Sequence, residues 1–174
     1  MTTSTAAPTI TQNADGTTTE YFDFAPTEES LVALTHELFE THWKRLRFGP
    51  CVPGAVFELA LTEKPQRVSM SDGYLTVDTG PWHFHLCIGE HKNTTPEAAK
   101  LRRCTRAAFF VMKSAAGTGT SWGLRLWNGG GDQMITFFFP NANYDDNLKK
   151  LPAPDASRLE LWKSLRAKYA GVQG

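Results

Sequence analysis

Cysteine is scarce in this chain of 174 residues, which has only Cys51, Cys87 and Cys104. An odd count with no Cys-x-x-Cys pair argues against a disulfide framework and for a reducing compartment. An excess of either charge is also missing. The 18 basic and 18 acidic side chains cancel to a formal net charge of zero. Nothing here favours a nucleic acid or an anionic membrane surface as partner. No apolar run approaches the roughly 20 residues that a membrane-spanning helix needs. The opening Met1-Thr2-Thr3-Ser4 lacks the basic stretch and apolar run of a signal peptide. The expectation is a cytoplasmic protein with a small-molecule ligand, no nucleic acid and no membrane partner, and self-association into a homo-oligomer left open. Internal repeats are absent as well.

What is present is aromatic. Aromatics make up 11% of the chain, with five tryptophans, and the hydrophobic fraction is 41%. That composition suits a globular core and a ligand pocket. The length suits one domain. Residues 1–8 read as a disordered tail of Thr, Ala and Ser, and residues 9–174 as a single α+β domain.

Asp15-Gly16 between threonine-rich flanks predicts a hairpin over 9–24. Thr27 is an N-cap before Glu28 and Glu29. The first helix carries Leu31, Leu34, Leu38, His42 and Leu46 on one stripe and stops at Gly49-Pro50. Strands follow at 55–62, 66–70 and 74–79, with turns at Glu63-Lys64-Pro65 and Ser71-Asp72-Gly73. Thr95 and Pro96 start a second helix, whose inner stripe is Leu101, Cys104, Thr105, Ala108 and Val111 or Met112, broken at Gly117. Gly129-Gly130-Gly131-Asp132 joins strands 121–128 and 133–139, and a last helix covers 157–170. The predicted fold class is α+β: a single antiparallel sheet of about 5–7 strands with three flanking helices.

The chemistry concentrates in Trp82-His83-Phe84-His85-Leu86-Cys87-Ile88-Gly89-Glu90-His91. Read as a strand, Trp82, Phe84, Leu86 and Ile88 face one way. His83, His85, Cys87 and, if the strand runs on, His91 face the other. Three of the five histidines thus share one surface. A solvated sheet face ordinarily carries Lys, Glu and Thr, whereas His and Cys prefer partial burial. The expected metal ligands are His83, His85 and His91, with Glu90 as ligand or proton carrier. Such N and O donors suit Zn, Fe, Mn, Ni or Cu without choosing among them.

His83-x-His85 followed by Glu90 matches a fragment of the cupin histidine motif. The later cupin histidine has no counterpart after His91, and three helices do not fit a jelly roll. The run His83–Gly89 before a helix is similar to the His-x-His-Ile-x-Gly strand of the stay-green magnesium dechelatases. Cys87 and the inserted Glu90-His91 depart from that pattern. The similarity implies a tetrapyrrole ligand, which histidines beside aromatic residues also suit.

Arg125 shares a strand face with Trp127 and Gly123. It is expected either to orient an anionic substrate group or to have an internal partner. Trp127 is a candidate wall for a bound cofactor, alongside His83 and His85. His42 on the apolar stripe reads as a hydrogen-bonded core histidine or a remote ligand, and His36 as inert. Cys87 is a candidate nucleophile or packing residue. The leading expectation is a metal-dependent enzyme acting on a small organic molecule, with Glu90 and Arg125 catalytic. The alternative is a protein binding haem or another tetrapyrrole, a metal dechelatase-like activity included. A third reading is a metal-free ligand-binding or interaction domain.

Overall fold

The computed structural model describes residues 7–172. The expected tail lies outside these residues except for Ala7 and Pro8, which are exposed and belong to no strand. In chain order the elements are β1 (Thr9–Gln12), β2 (Thr18–Phe24), α1 (Glu28–His36), β3 (Arg47–Gly49), β4 (Cys51–Val52), β5 (Ala55–Val56) and β6 (Leu59–Ala60). Then come β7 (Arg67–Ser71), β8 (Tyr74–Asp78), β9 (His83–Cys87), α2 (Pro96–Arg102), β10 (Cys104–Lys113), β11 (Gly119–Asn128), β12 (Gln133–Phe138) and α3 (Glu160–Ala170).

The class is α+β, as expected, and the described residues form three α-helices and a large antiparallel sheet. The single expected sheet is corrected to three. A seven-stranded sheet runs in the order β1-β2-β10-β11-β12-β3-β6, while β4-β5 and β7-β8-β9 form separate small sheets. The histidine strand belongs to the last of these.

The chain divides into two compact units. The first comprises residues up to 24, 108–125 and those from 137 on. Its hairpin β1-β2 turns at Asp15-Gly16, where the Asp15 carboxylate accepts from the Thr17 backbone N–H at 3.0 Å and Gly16 takes φ +81°. Helix α3 ends at Gly171, in the left-handed conformation with φ +68°. It buries Leu161, Trp162 and Leu165, and the Trp162 indole N–H donates to the Gly123 carbonyl at 2.9 Å. Gly123 is required there, because a Cβ would strike the Phe110 ring and the Phe137 carbonyl.

The second unit comprises residues 25–107 and 126–136. Thr27 caps α1, its hydroxyl accepting from Ser30 N–H at 3.1 Å. The regular helix is shorter than predicted. It gives way to a π-helical turn over Glu37–Thr41 and a 3-10 turn over Trp43–Arg45 before β3. Leu31, Leu34, Leu38, Phe39 and Leu46 from this stretch are buried. The predicted strand at 55–62 is two short pieces, β5 and β6, interrupted at Phe57-Glu58.

The largest correction concerns the second helix. Only residues 96–102 are helical, and Arg103 turns extended at φ −64°, ψ 140°. The next ten residues are strand β10. The predicted inner stripe at Cys104, Thr105, Ala108 and Val111 therefore lies on a strand. Residues Ala107 to Val111 are all buried, so both strand faces are apolar. A run with no wet face shows no alternation and cannot be told from a buried helix by periodicity.

Candidate functional site

Strands β7 and β8 are joined by Asp72-Gly73, both left-handed with φ of +46° and +79°. A two-residue turn of this kind fixes the hairpin register. Arg67 pairs with Asp78, Ser69 with Thr76 and Ser71 with Tyr74. On the other side Asp78 pairs with His83, Thr76 with His85 and Tyr74 with Cys87. Because paired residues share a face, the outer face carries rows of Arg67, Asp78 and His83, of Ser69, Thr76 and His85, and of Ser71, Tyr74 and Cys87. The inner face carries Leu75, Val77, Phe84 and Leu86. Phe84 packs against Phe39 and Phe48, with ring centroids 5.6 and 5.5 Å away. Trp82 stacks on Phe84 at 6.3 Å although it is 38% exposed.

His83 and His85 are exposed side by side, their ring centroids 5.0 Å apart. Thr76 Oγ1 lies 2.8 Å from His85 Nδ1. Tyr74 continues the line of rings, 6.4 Å from His85 and 5.0 Å from His91. His91 is turned to the Asp72 carboxylate, with Nε2 3.2 Å from Oδ2 and only 11% of its side chain exposed. Its Nδ1 is buried without a hydrogen-bond partner. Asp72 also accepts from the Lys92 backbone N–H at 2.8 Å and the Asn93 amide at 2.9 Å. The Lys92 hydrogen bond is the main cause holding the Asp72 carboxyl below the usual carboxylate range.

This arrangement does not support the expected three-histidine metal centre. Among the described residues no group of three His, Cys, Asp or Glu side chains is placed to hold a metal ion. The imidazoles of His83 and His85 stand as a pair, and His91 is engaged by Asp72.

His91 also lines a cleft of about 430 Å³ with Pro26, Glu90, Ala99, Lys100, Arg103, Cys104 and Thr105. Glu90, the expected proton carrier, lies 3.7 Å from Lys92 and is largely exposed. Burial pushes the Cys104 thiol up to about 11 and raises the Cys87 thiol as well. Both sulfurs are thus held as thiols, which removes the activation that a Cys87 nucleophile needs.

The other expected residues have different surroundings. Arg125, in the first unit, lies over the Phe110 ring at 4.8 Å and donates to the Tyr21 hydroxyl at 2.9 Å. Trp127, in the second unit, is covered by the Arg106 guanidinium 4.3 Å from its ring. His42 closes the π-helical turn, its backbone N–H donating to Glu37 and Leu38 carbonyls. His36 pairs with Glu40 at 3.2 Å. Sequence reasoning did not single out Thr76, Asp72, Tyr74, Lys100 or Arg103 as parts of a site. The signal for Thr76 was the Asp72-Gly73 turn, which sets β8 against β9 by register.

The fold is similar to two solved structures. The crystal structure of ChuX is 16% identical over 80% of this chain and 74% of that one, with a TM-score of 0.49. A protein from Erwinia carotovora is 14% identical over 87% of this chain and 76% of that one, with a TM-score of 0.52. At these identities the likeness is one of fold alone. No curated protein matches the chain in sequence. Residues 8–171 match the model of a family of unknown function (DUF7676).

Proposed function

Because the chain belongs to that family of unknown function, we propose a role from its own residues: a protein that binds a metallated tetrapyrrole such as haem on the outer face of β7-β8-β9. The observation that carries this reading is the Thr76–His85 hydrogen bond at 2.8 Å on an exposed imidazole. With the His85 proton on Nδ1, the Thr76 hydroxyl accepts it and Nε2 keeps its lone pair. A metal-ligating histidine ordinarily has its other ring nitrogen held in this way. The donor chemistry fits as well. A bare ion needs three or four protein ligands. A tetrapyrrole brings four nitrogens of its own and would ask less of the protein; His85 would hold it, with the His83 ring beside it. The group, when bound, would supply the redox or ligand-binding chemistry of its metal. The chain's own part is to ligate, orient and limit water at one face.

The test is a haem titration of protein without a His-tag, read in the Soret band. A saturable shift at one equivalent is expected, and His85→Ala should weaken binding about tenfold or more. An unchanged titration in a His83→Ala/His85→Ala double variant would overturn the reading.

A further inference from the structure

We propose that the cleft beside His91 receives free carboxylates of the ligand, so that the protein selects acidic tetrapyrroles over neutral or esterified ones. This inference rests on the tetrapyrrole reading. Its first support is continuity. His91 ends the line of rings that starts at His83 and passes through His85 and Tyr74, and the same side chain forms part of the cleft wall. A planar ligand on the outer face therefore has the cleft at its margin.

The second support is charge. Lys100, on α2, and Arg103, which caps its end, both line the cleft. Glu90 is the acidic side chain among the lining residues, with Lys92 3.7 Å from it, and the Glu28 carboxylate behind it accepts from the Glu90 backbone N–H at 3.2 Å. The Asp72 carboxylate is likewise engaged, by His91, Lys92 and Asn93. The uncompensated charge of the wall is then positive.

The third support is that the backbone carrying the cations is held in place. The Gly129 N–H donates to the Leu101 carbonyl at 3.0 Å, and a Cβ at Gly129 would fall on the Lys100 carbonyl. The Arg103 N–H donates to the Ala99 carbonyl at 3.1 Å, which ends α2 at the cleft. A short helix pinned at both places fixes the backbone from which the two cations reach the cleft. Guanidinium and ammonium groups beside a cleft are matched by carboxylates, to which they make charge-assisted hydrogen bonds.

The experiment titrates the full chain with iron protoporphyrin IX and, separately, with its dimethyl ester. In the parent protein the free acid should bind about tenfold or more tightly than the diester. Lys100→Gln/Arg103→Gln should abolish that preference while leaving diester affinity unchanged. The single variant Arg103→Lys, with its charge kept, should retain most of it. Circular dichroism of each variant reports that the fold survives. Equal affinity for acid and diester in the parent, with both lost in His85→Ala, would overturn this inference and leave the tetrapyrrole reading standing. A preference that persists in the double glutamine variant would also overturn it. Failure of both porphyrins to bind the parent would overturn the reading and the inference together.

Discussion

Strands β9 and β10 are successive strands of the chain with α2 between them, yet their sequences behave oppositely. In β9 the faces are unlike: His83 and His85 are exposed, while Leu86 is buried and Phe84 packs on Phe39 and Phe48. In β10 the faces are alike. Phe109 meets Phe24 and Phe139 at 5.7 and 6.4 Å, and Phe110, pointing the other way, meets Tyr21 and Phe138 at 6.3 and 6.5 Å. A strand with one wet face writes its two-residue period into the sequence. A strand buried on both sides does not. On the proposed reading the same difference separates function from support. Ligand-facing groups need water access, so they sit where the core is not at stake.

The largest effects should fall on β10. Phe109→Ala and Phe110→Ala should each cost about 3–5 kcal/mol, because each removes a ring fully enclosed by others. Leu86→Ala on the inner face of β9 should cost about 2–5 kcal/mol for the same reason. Urea unfolding of the purified variants measures both. If Phe110→Ala cost no more than a substitution on the outer face of β9, the contrast between the two strands would be broken.

A smaller effect marks the junction where the chain enters β10. The Cys104 thiol is pushed from its ordinary 9.0 to about 11, chiefly by burial. Its folded value is raised, so the folded protein keeps this proton where the unfolded chain has lost it. That stabilisation is complete below the unfolded value and is lost as pH rises through the folded one. Its size is about 2–3 kcal/mol for a shift of this order. Cys87 is shifted in the same direction by the same cause. Urea midpoints measured from about pH 8 to about pH 11 should therefore fall more steeply in the parent than in Cys104→Ala. Parallel curves would show that burial at this position carries no proton linkage.

How far the sequence could be read follows from the same physics. The caps and turns were legible because they are local: Thr27, Asp15-Gly16, Gly171 and the glycine turn at 129–131 all do what their chemistry dictates. The facing of β9 was legible because its period is 2. The π-helical turn at Glu37–Thr41 was not, since apolar residues continue through it. The conversion of 104–113 from helix to strand was hidden by the apolar run. The histidine pair was visible, but the separation of His91 was not. It depends on the Asp72 carboxylate, placed 19 residues earlier by the Asp72-Gly73 turn. Arg125 could not be assigned either, because its partner Tyr21 lies 104 residues away.

A local effect of intermediate size tests the legible class. Thr27→Ala removes the hydroxyl that accepts from Ser30 N–H and should cost about 1 kcal/mol. Thr27→Ser should restore most of it. A thermal-melt comparison of the two variants reads the difference directly. Equal loss in both would mean that the cap hydrogen bond carries no stability.

The smallest expected effect on stability is also the sharpest test of the comparison. His83→Ala and His85→Ala remove exposed rings that meet each other, Thr76 and Tyr74. Surface substitutions of this kind stay within about 0.5 kcal/mol. Neither side chain fills the space between Phe84 and the rings of Phe39 and Phe48, so no cavity opens. Thr76→Val keeps the shape of the β8 side chain and loses only the hydroxyl that His85 Nδ1 meets. It should be equally silent in urea, yet it should weaken haem binding by freeing the imidazole to take either tautomer. Stability and ligand affinity would then separate cleanly along one strand, with Leu86 moving the first and His85 the second. If His85→Ala unfolded the protein while Leu86→Ala left it intact, the two faces would have exchanged roles and the outer face of β7-β8-β9 would be part of the core.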